Sequence, residues 1–127
     1  MKNVIALDIG GTSIKSAIVN SNGIFLENSC KIISIDSSKD KEYILNKFTY
    51  PIKESINLLN RTKNSFDGIA VSICGPFDYE KGICLIKNLD KYESIYNQNI
   101  KKIIQERLSI SSNVPFILDP DAWSFGR

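Results

Sequence analysis

The stretch that decides the fold is "ALDIGGTSIKSAIV", residues 6–19, in which a polar turn separates two apolar runs. The first run is aliphatic from Val4 onward and ends at Asp8, and the second partly alternates apolar and polar residues from Ser13 to Val19. Both patterns are typical of β-strands. The sequence therefore predicts a hairpin whose turn carries a carboxylate, two glycines and a threonine.

The composition of this turn indicates a phosphate site. Gly10 and Gly11 let the backbone turn tightly and leave no Cβ in the way of a ligand, and successive N–H groups in such a turn can surround phosphate oxygens. Thr12 would add a hydroxyl donor, Asp8 would hold Mg²⁺ through water, and Lys15 would add positive charge if its strand directs it there. The Walker spacing G-x-x-x-x-G-K-[ST] is absent from the sequence. A plain glycine hairpin with a polar rim is the structural alternative.

The rest of the chain predicts alternating strands and helices. After the turn signal "NSNG", Ile24 to Ile35 is predicted to be a third strand, which would complete an antiparallel meander. Apolar residues from 44 to 59 have helical spacing, with a break or kink predicted at Pro51. The later elements are a buried strand at 68–73, a short strand at 82–86, a helix at 100–108, a strand at 114–118 and a helix from near Asp121. This order predicts an α/β domain with a mixed sheet.

The bulk composition narrows the function classes. The chain has 127 residues, 43% of them hydrophobic, and a formal net charge of +2, which is too small to indicate binding to nucleic acid or to an anionic membrane. It contains no histidine, and Cys30, Cys74 and Cys84 lack Cys-x-x-Cys pairing, so neither zinc nor imidazole chemistry is expected. We expect a cytoplasmic protein with reduced thiols and no membrane-spanning segment.

Three segments together resemble a known family. "LDIGGTSIK" resembles the first phosphate motif of the actin, sugar-kinase and Hsp70 ATPase superfamily, in the version found in the ROK family (repressors, open reading frames and kinases). "GIAVSICGPFDYEKGICLIKNL" is similar to that family's strand with its Gly-Pro-x-Asp loop and Asn-Leu segment. The resemblance spans Val4 to Arg127. It implies a ribonuclease H-like (actin-like ATPase) domain with helices on both faces of its mixed sheet, ATP and Mg²⁺ as cofactors, and a sugar as substrate.

The third segment, "VPFILDPDAW", carries the implied catalytic base. In ROK kinases a buried strand ends in Glu-Asn-Asp-Ala, whose aspartate takes the proton from the sugar hydroxyl. The ungapped match places Asp121 on that aspartate, with Asp119 in place of the glutamate and Pro120 in place of the asparagine. Proline has neither the amide side chain nor the backbone N–H of that asparagine, which normally helps to hold the sugar. The structural alternative is that Asp119 or Asp121 caps the following helix.

Three further residues are sugar contacts by resemblance. Gly75 and Pro76 begin a loop that lies beside the sugar in the family, and Asn88 matches the region of another sugar contact. The alternatives are a simple turn for the loop and a capping or turn role for Asn88. Tyr92 and Tyr96 are given no function, because either one could simply cover the core.

The resemblance also implies that the chain is one lobe of two. The family's Glu-x-Gly-His sugar motif, its cysteine-rich zinc motif and its adenosine-binding glycine region do not occur in residues 1–127. We therefore expect an N-terminal lobe, without zinc, that is inactive or almost inactive alone and prone to self-association through the face left by the missing lobe. The alternatives are a sugar-binding ROK regulator without its DNA-binding domain, and a chaperone-type nucleotide-binding domain.

Overall fold

The structure, a computed structural model, describes residues 2–120. Its strands are β1 (Asn3–Ile9), β2 (Ser13–Asn20), β3 (Lys31–Ser34), β4 (Gly68–Ile73), β5 (Phe77–Asp78), β6 (Ile83–Cys84) and β7 (Phe116–Asp119). Its helices are α1 (Lys41–Arg61) and α2 (Ile100–Arg107), with a 3-10 turn at Glu93–Ile95. A five-stranded sheet has the order β3-β2-β1-β4-β7, and β5 pairs with β6.

The sheet is mixed, as the sequence predicts. The first three strands form an antiparallel meander, whereas β4 pairs parallel to both β1 and β7. Helices α1 and α2 contact each other, and α1 packs on β1 and β2. The predicted α/β class is therefore confirmed. The further helix that the sequence predicts from Asp121 lies outside the described residues.

Strand alternation places the core on one face of the sheet. Ile5 and Leu7 of β1 are buried, and their partners in the neighbouring strands share that face because paired residues project to the same side. Apolar side chains of α1 cover them, with Phe48 and Ile52 both fully buried. This single cluster includes residues of both helices and of all the central strands.

Helix α1 is continuous through Pro51, so the break that was one of the two predicted outcomes is wrong, and the other, a kink, stays a prediction. Proline in a helix interior costs about 3 kcal/mol, because it removes a donor and crowds the preceding turn. Burial of a large apolar side chain contributes about 1.5–3 kcal/mol, and α1 buries Phe48 and Ile52 on either side of Pro51. Packing of the apolar face therefore outweighs the local penalty. Asp40 is the N-cap of the helix, and its carboxylate accepts a hydrogen bond of 2.9 Å from the Tyr43 N–H.

The third strand is much shorter than the predicted range 24–35. Residues before Lys31 form only an isolated bridge to β2 through Phe25, which is 57% exposed. The chain turns at Asn28, whose φ of 66° is left-handed, and the next residue, Ser29, accepts a hydrogen bond of 3.1 Å on its hydroxyl from the Ile18 N–H. This side-chain hydrogen bond replaces a strand ladder there.

The remaining elements lie close to their predicted positions. Strand β6 falls inside the predicted 82–86, and β7 begins two residues after the predicted start at Val114. The cysteines are free thiols, and burial raises the pKa of Cys84. None of the helices in residues 2–120 has the length and apolar character needed to cross a membrane.

Replacing Phe48 with alanine should lower the free energy of unfolding by about 3–5 kcal/mol, because it opens a cavity at the centre of the core. Denaturant titration followed by circular dichroism measures the loss. Tyr50→Ala, on the same helix but at a side chain that is 52% exposed, is the matched control and should change stability by about 0.5 kcal/mol or less. Equal losses in the two variants would contradict this core assignment.

Candidate functional site

Parallel pairing brings the predicted site segments to one edge of the sheet. Ile9, the last residue of β1, pairs with Ile73, the last residue of β4. Ser72 of β4 pairs in turn with Asp119 at the end of β7. The glycine turn, the loop that begins at Cys74 and the segment after β7 therefore leave from neighbouring strand ends. In open α/β sheets, ligands bind at this carboxyl edge.

A polar row crosses the face of the sheet opposite the core, which we call the open face. Lys15 lies directly across from Asp8 in the antiparallel register, and both residues are exposed. Asp8 pairs with Ser72, and Ser72 with Asp119, so two strand spacings separate the aspartates, a distance of about 10 Å between backbones. The register thus answers a question that the sequence left open, because Lys15 lies on the same face as Asp8.

Hydrogen bonds from within the protein occupy the carbonyl oxygens of Gly10, Thr12 and Ser13 in the glycine turn. The Gly10 N–H donates to the Ser13 carbonyl at 2.9 Å and closes the turn. The Ile35 N–H donates to the Thr12 carbonyl at 3.0 Å, and the Tyr92 hydroxyl donates to the Gly10 carbonyl. The acceptors at both ends of the turn are therefore occupied from within the fold.

The N–H donors of the same turn are not used by the described fold, and Gly11 and Thr12 are both exposed. Within residues 2–120, the Gly11 and Thr12 N–H groups have no protein acceptor. A Cβ at Gly11 would have no neighbouring heavy atom within 4 Å, whereas a Cβ at Gly10 would lie 3.3 Å from the Ser13 carbonyl oxygen. Adjacent N–H groups that point out of a turn form a concavity suited to an anion.

Tyr92 is the residue of this region that sequence reasoning missed. Its side chain is only 2% exposed, its ring lies 5.7 Å from that of Phe48, and its backbone is left-handed with φ 55°. A tyrosine among polar residues carries no periodic signal, and its partner Gly10 is 82 residues away. Only the tertiary structure connects it to the turn.

The loop after β4 explains why a glycine stands at position 75. A Cβ there would lie 2.7 Å from the Phe77 nitrogen and 2.8 Å from the Tyr79 hydroxyl. That hydroxyl donates to the Ile73 carbonyl at 2.8 Å, and Gly75 joins Pro76 through a cis peptide bond. Burial, and then the charges of Cys74 and Asp119, raise the pKa of Tyr79. The fold therefore requires Gly75, and its sugar contact stays a prediction.

Of the three remaining predicted residues, the structure describes Asn88 and Asp119 but not Asp121. Asn88 is exposed, and its backbone is left-handed with φ 61°. The residue of this segment that hydrogen-bonds to the glycine turn is Tyr92. Asp119 is half-buried at the end of β7. Asp121, the predicted base, lies outside the described residues.

Asp8 is the carboxylate nearest to the turn in sequence, and carboxylates are ligands that Mg²⁺ prefers. The described residues contain no cluster of three or more histidine, cysteine, aspartate or glutamate side chains that could enclose a metal ion. Mg²⁺ in phosphate sites is commonly held by one or two carboxylates together with water and the phosphates themselves. An exposed Asp8 beside outward N–H donors fits this arrangement.

No protein-family model and no curated protein matches the sequence. Solved structures do match. A ROK family glucokinase from Streptomyces griseus, in complex with glucose and AMPPNP, is 18% identical with a TM-score of 0.67, over 92% of this chain and 32% of that one. An inorganic polyphosphate/ATP-glucomannokinase from Arthrobacter sp. strain KM is 19% identical with a TM-score of 0.67, over 94% of this chain and 43% of that one.

A regulator shares the same fold. A ROK family transcriptional regulator homologous to the E. coli Mlc protein is 17% identical with a TM-score of 0.71, over 92% of this chain and 27% of that one. These matches confirm the fold that the sequence motifs indicate, that of ROK proteins. The chain spans less than half the length of each of the three structures, which is consistent with a single lobe.

Replacing Gly75 with alanine should destabilise the protein by about 1–3 kcal/mol, because the new methyl group overlaps a backbone nitrogen and displaces the Tyr79 hydroxyl. Gly11→Ala is the matched control, since its methyl group meets open space, and it should leave stability unchanged or raise it by about 0.4–1 kcal/mol. Thermal unfolding of the two variants provides the measurement. A Gly75→Ala protein as stable as the parent would contradict the loop geometry.

Proposed function

We propose that residues 1–127 form the N-terminal lobe of an ATP-dependent hexose kinase of the ROK type, which transfers the γ-phosphoryl group of ATP to a sugar hydroxyl. The observation that carries the proposal is the polarity of the glycine turn: groups of the protein donate to the Gly10 and Thr12 carbonyl oxygens, whereas the exposed Gly11 and Thr12 have N–H groups without an acceptor in residues 2–120. Such a turn attracts an anion. The glucokinase of the same fold, crystallised with glucose and AMPPNP, also supports it.

In this proposal the turn holds the phosphates of ATP. Gly10 allows close approach, Gly11 and Thr12 donate backbone hydrogen bonds, and Lys15 offsets negative charge from the neighbouring strand. Asp8 would hold Mg²⁺ through water, and the ion would supply charge neutralisation at the phosphates. Alignment and charge neutralisation supply most of the rate gain in phosphoryl transfer.

The acceptor side of the reaction needs a base. A sugar hydroxyl is a poor nucleophile until its proton is removed, and a positioned carboxylate contributes on the order of 10²- to 10⁴-fold. We assign this role to Asp121, because the ungapped match to the ROK motif places it on the family's aspartate. Gly75, Pro76 and Asn88 would contact the sugar, as the resemblance implies.

The lobe alone would be a poor catalyst. The solved structures that it matches are two to four times as long, and a second lobe would supply the adenosine pocket and exclude water on closure. On the open face, Ile32 and Ile117 are 70% and 51% exposed. We propose that another protein surface covers this face, either a second lobe or a second copy of the chain, in a cytoplasmic protein that binds neither nucleic acid nor membrane.

A sugar-binding regulator of the ROK type is the second candidate, because the regulator has the higher TM-score, 0.71. Calorimetry separates the two functions. A kinase lobe binds Mg²⁺ with nucleotide at the glycine turn, whereas a regulator binds sugar without needing nucleotide. Sugar binding together with complete indifference to AMPPNP and Mg²⁺ would favour the regulator.

Gly11→Ala should weaken binding of Mg²⁺ and AMPPNP at least tenfold while the protein stays folded, because its methyl group fills the space in front of the turn. Isothermal titration calorimetry of the parent and variant chains gives the two dissociation constants. Gly23→Ala, in the distant turn after β2, is a control for glycine replacement, read at a temperature where both variants are folded. Unchanged affinity in Gly11→Ala would contradict the phosphate site.

Asp121→Asn in a complete two-lobed enzyme that carries this lobe should lower kcat by about 10²-fold or more and leave nucleotide affinity unchanged, because the amide cannot accept the sugar proton. Asp119→Asn is the matched control two residues earlier and should retain most of the turnover. A coupled assay with ATP, Mg²⁺ and glucose measures both. Normal turnover in Asp121→Asn would exclude it as the base.

A further inference from the structure

Tyr92 ties a distant segment to the glycine turn. Its hydroxyl donates to the carbonyl oxygen of Gly10, 82 residues earlier in the chain. Its own N–H donates to the Ser37 carbonyl at 2.8 Å, and its ring packs against Phe48. Two residues later, the Ser94 hydroxyl donates to the Lys39 carbonyl at 2.8 Å. Tyr92 is therefore held from its backbone and from its ring, and its hydroxyl has little freedom to move.

The hydrogen bond to Gly10 also controls a donor on the other side of the same peptide unit. The Gly10 carbonyl and the Gly11 N–H belong to one planar trans peptide, in which the C=O and N–H bonds point in opposite directions. A donor that holds the carbonyl oxygen in the fold therefore turns the N–H away from the fold. That N–H is one of the two outward donors of the turn, and a glycine on each side of the peptide leaves its rotation otherwise free.

We propose that Tyr92 is a positioning residue that aims the Gly11 N–H at a phosphate group of the bound nucleotide. The inference rests on the proposed function and adds to it a residue outside all the segments predicted to bind ATP or sugar. Tyr92 itself does not touch the ligand. It acts through the Gly10–Gly11 peptide, and removing its hydroxyl leaves that peptide free to rotate.

The protonation state of the Tyr92 hydroxyl suits this role. Burial, with a smaller contribution from the neighbouring Tyr43, raises the pKa of Tyr92 well above its usual value. The phenol is therefore protonated, and able to donate, at neutral pH. The hydrogen bond to Gly10 should not titrate near neutral pH.

Tyr92→Phe separates the hydroxyl from the ring, because the ring that packs on Phe48 is retained. The probe is AMPPNP with Mg²⁺, titrated by calorimetry into a two-lobed enzyme that carries this lobe, because a second lobe would supply the adenosine pocket. In parallel, NMR of the ligand-free protein reports the orientation of the Gly11 N–H bond through its residual dipolar coupling. Tyr79→Phe is the matched control, since it also removes a hydroxyl-to-carbonyl hydrogen bond but at the loop after β4.

Tyr92→Phe should change the Gly11 coupling and weaken nucleotide binding about fivefold, the factor that corresponds to a hydrogen bond of about 1 kcal/mol. Tyr79→Phe should do neither, although both variants lose some thermal stability. A purely structural role for Tyr92 would lower the melting temperature without moving the affinity of the folded protein.

Four outcomes overturn the inference, and they differ in whether they also overturn the proposed function. An unchanged Gly11 coupling, or equal nucleotide affinity in Tyr92→Phe and the parent, refutes the positioning role and leaves the proposed function intact. Equal weakening by Tyr79→Phe attributes the effect to general loss of stability and also refutes that role. Failure of the two-lobed parent enzyme to bind nucleotide refutes the phosphate site, and the role of Tyr92 with it.

Discussion

The parallel pairing of β1 with β4 is the constraint on which the site depends. Strand β1 occupies the middle of the sheet, with an antiparallel partner on one side and a parallel partner on the other. The antiparallel side turns the chain back through Gly10 and Gly11 within a few residues. The parallel side brings the ends of β4 and β7 next to that turn from far along the chain. A shift of one residue in this register would move Asp8 and Lys15 to the core face and leave their charges buried.

The turn has the polarity that suits an anion, with little net formal charge nearby. The carbonyl oxygens of Gly10 and Thr12 are taken up by Tyr92 and Ile35, so the partial negative charges of the turn face inward. Partial positive charge remains on the outer side, where there is open space. Lys15 adds a full charge from the adjacent strand. The arrangement therefore suits phosphate, although the net charge of the whole chain is only +2.

The sequence predicted those parts of the molecule that local chemistry determines. Alternating apolar residues around Asp8, and two glycines between them, are sufficient to predict the first hairpin and its polar turn. The break predicted at Pro51 does not occur, because the free-energy cost of a helical proline is local, whereas the packing of α1 on the sheet that offsets it is tertiary. The third strand was predicted too long because a side-chain hydrogen bond from Ile18 to Ser29 competes with strand pairing. Tyr92 has no signal in the sequence for a similar reason, since its hydrogen-bond partner Gly10 lies 82 residues away. The roles proposed for Asp121, Gly75 and Asn88 come from family resemblance, because the residue types alone equally suit a helix cap or a turn.

The long separation between Tyr92 and Gly10 has a consequence for protein synthesis. A nascent chain that has left the ribosome only as far as β4 already contains both strands of the first hairpin and the helix that packs on them. It still lacks the residue that holds the Gly10 carbonyl. The turn therefore acquires its final polarity only after the segment around residue 92 has emerged and docked. Any nascent chain that ends before residue 92 therefore lacks the hydrogen bond that fixes the Gly10 carbonyl.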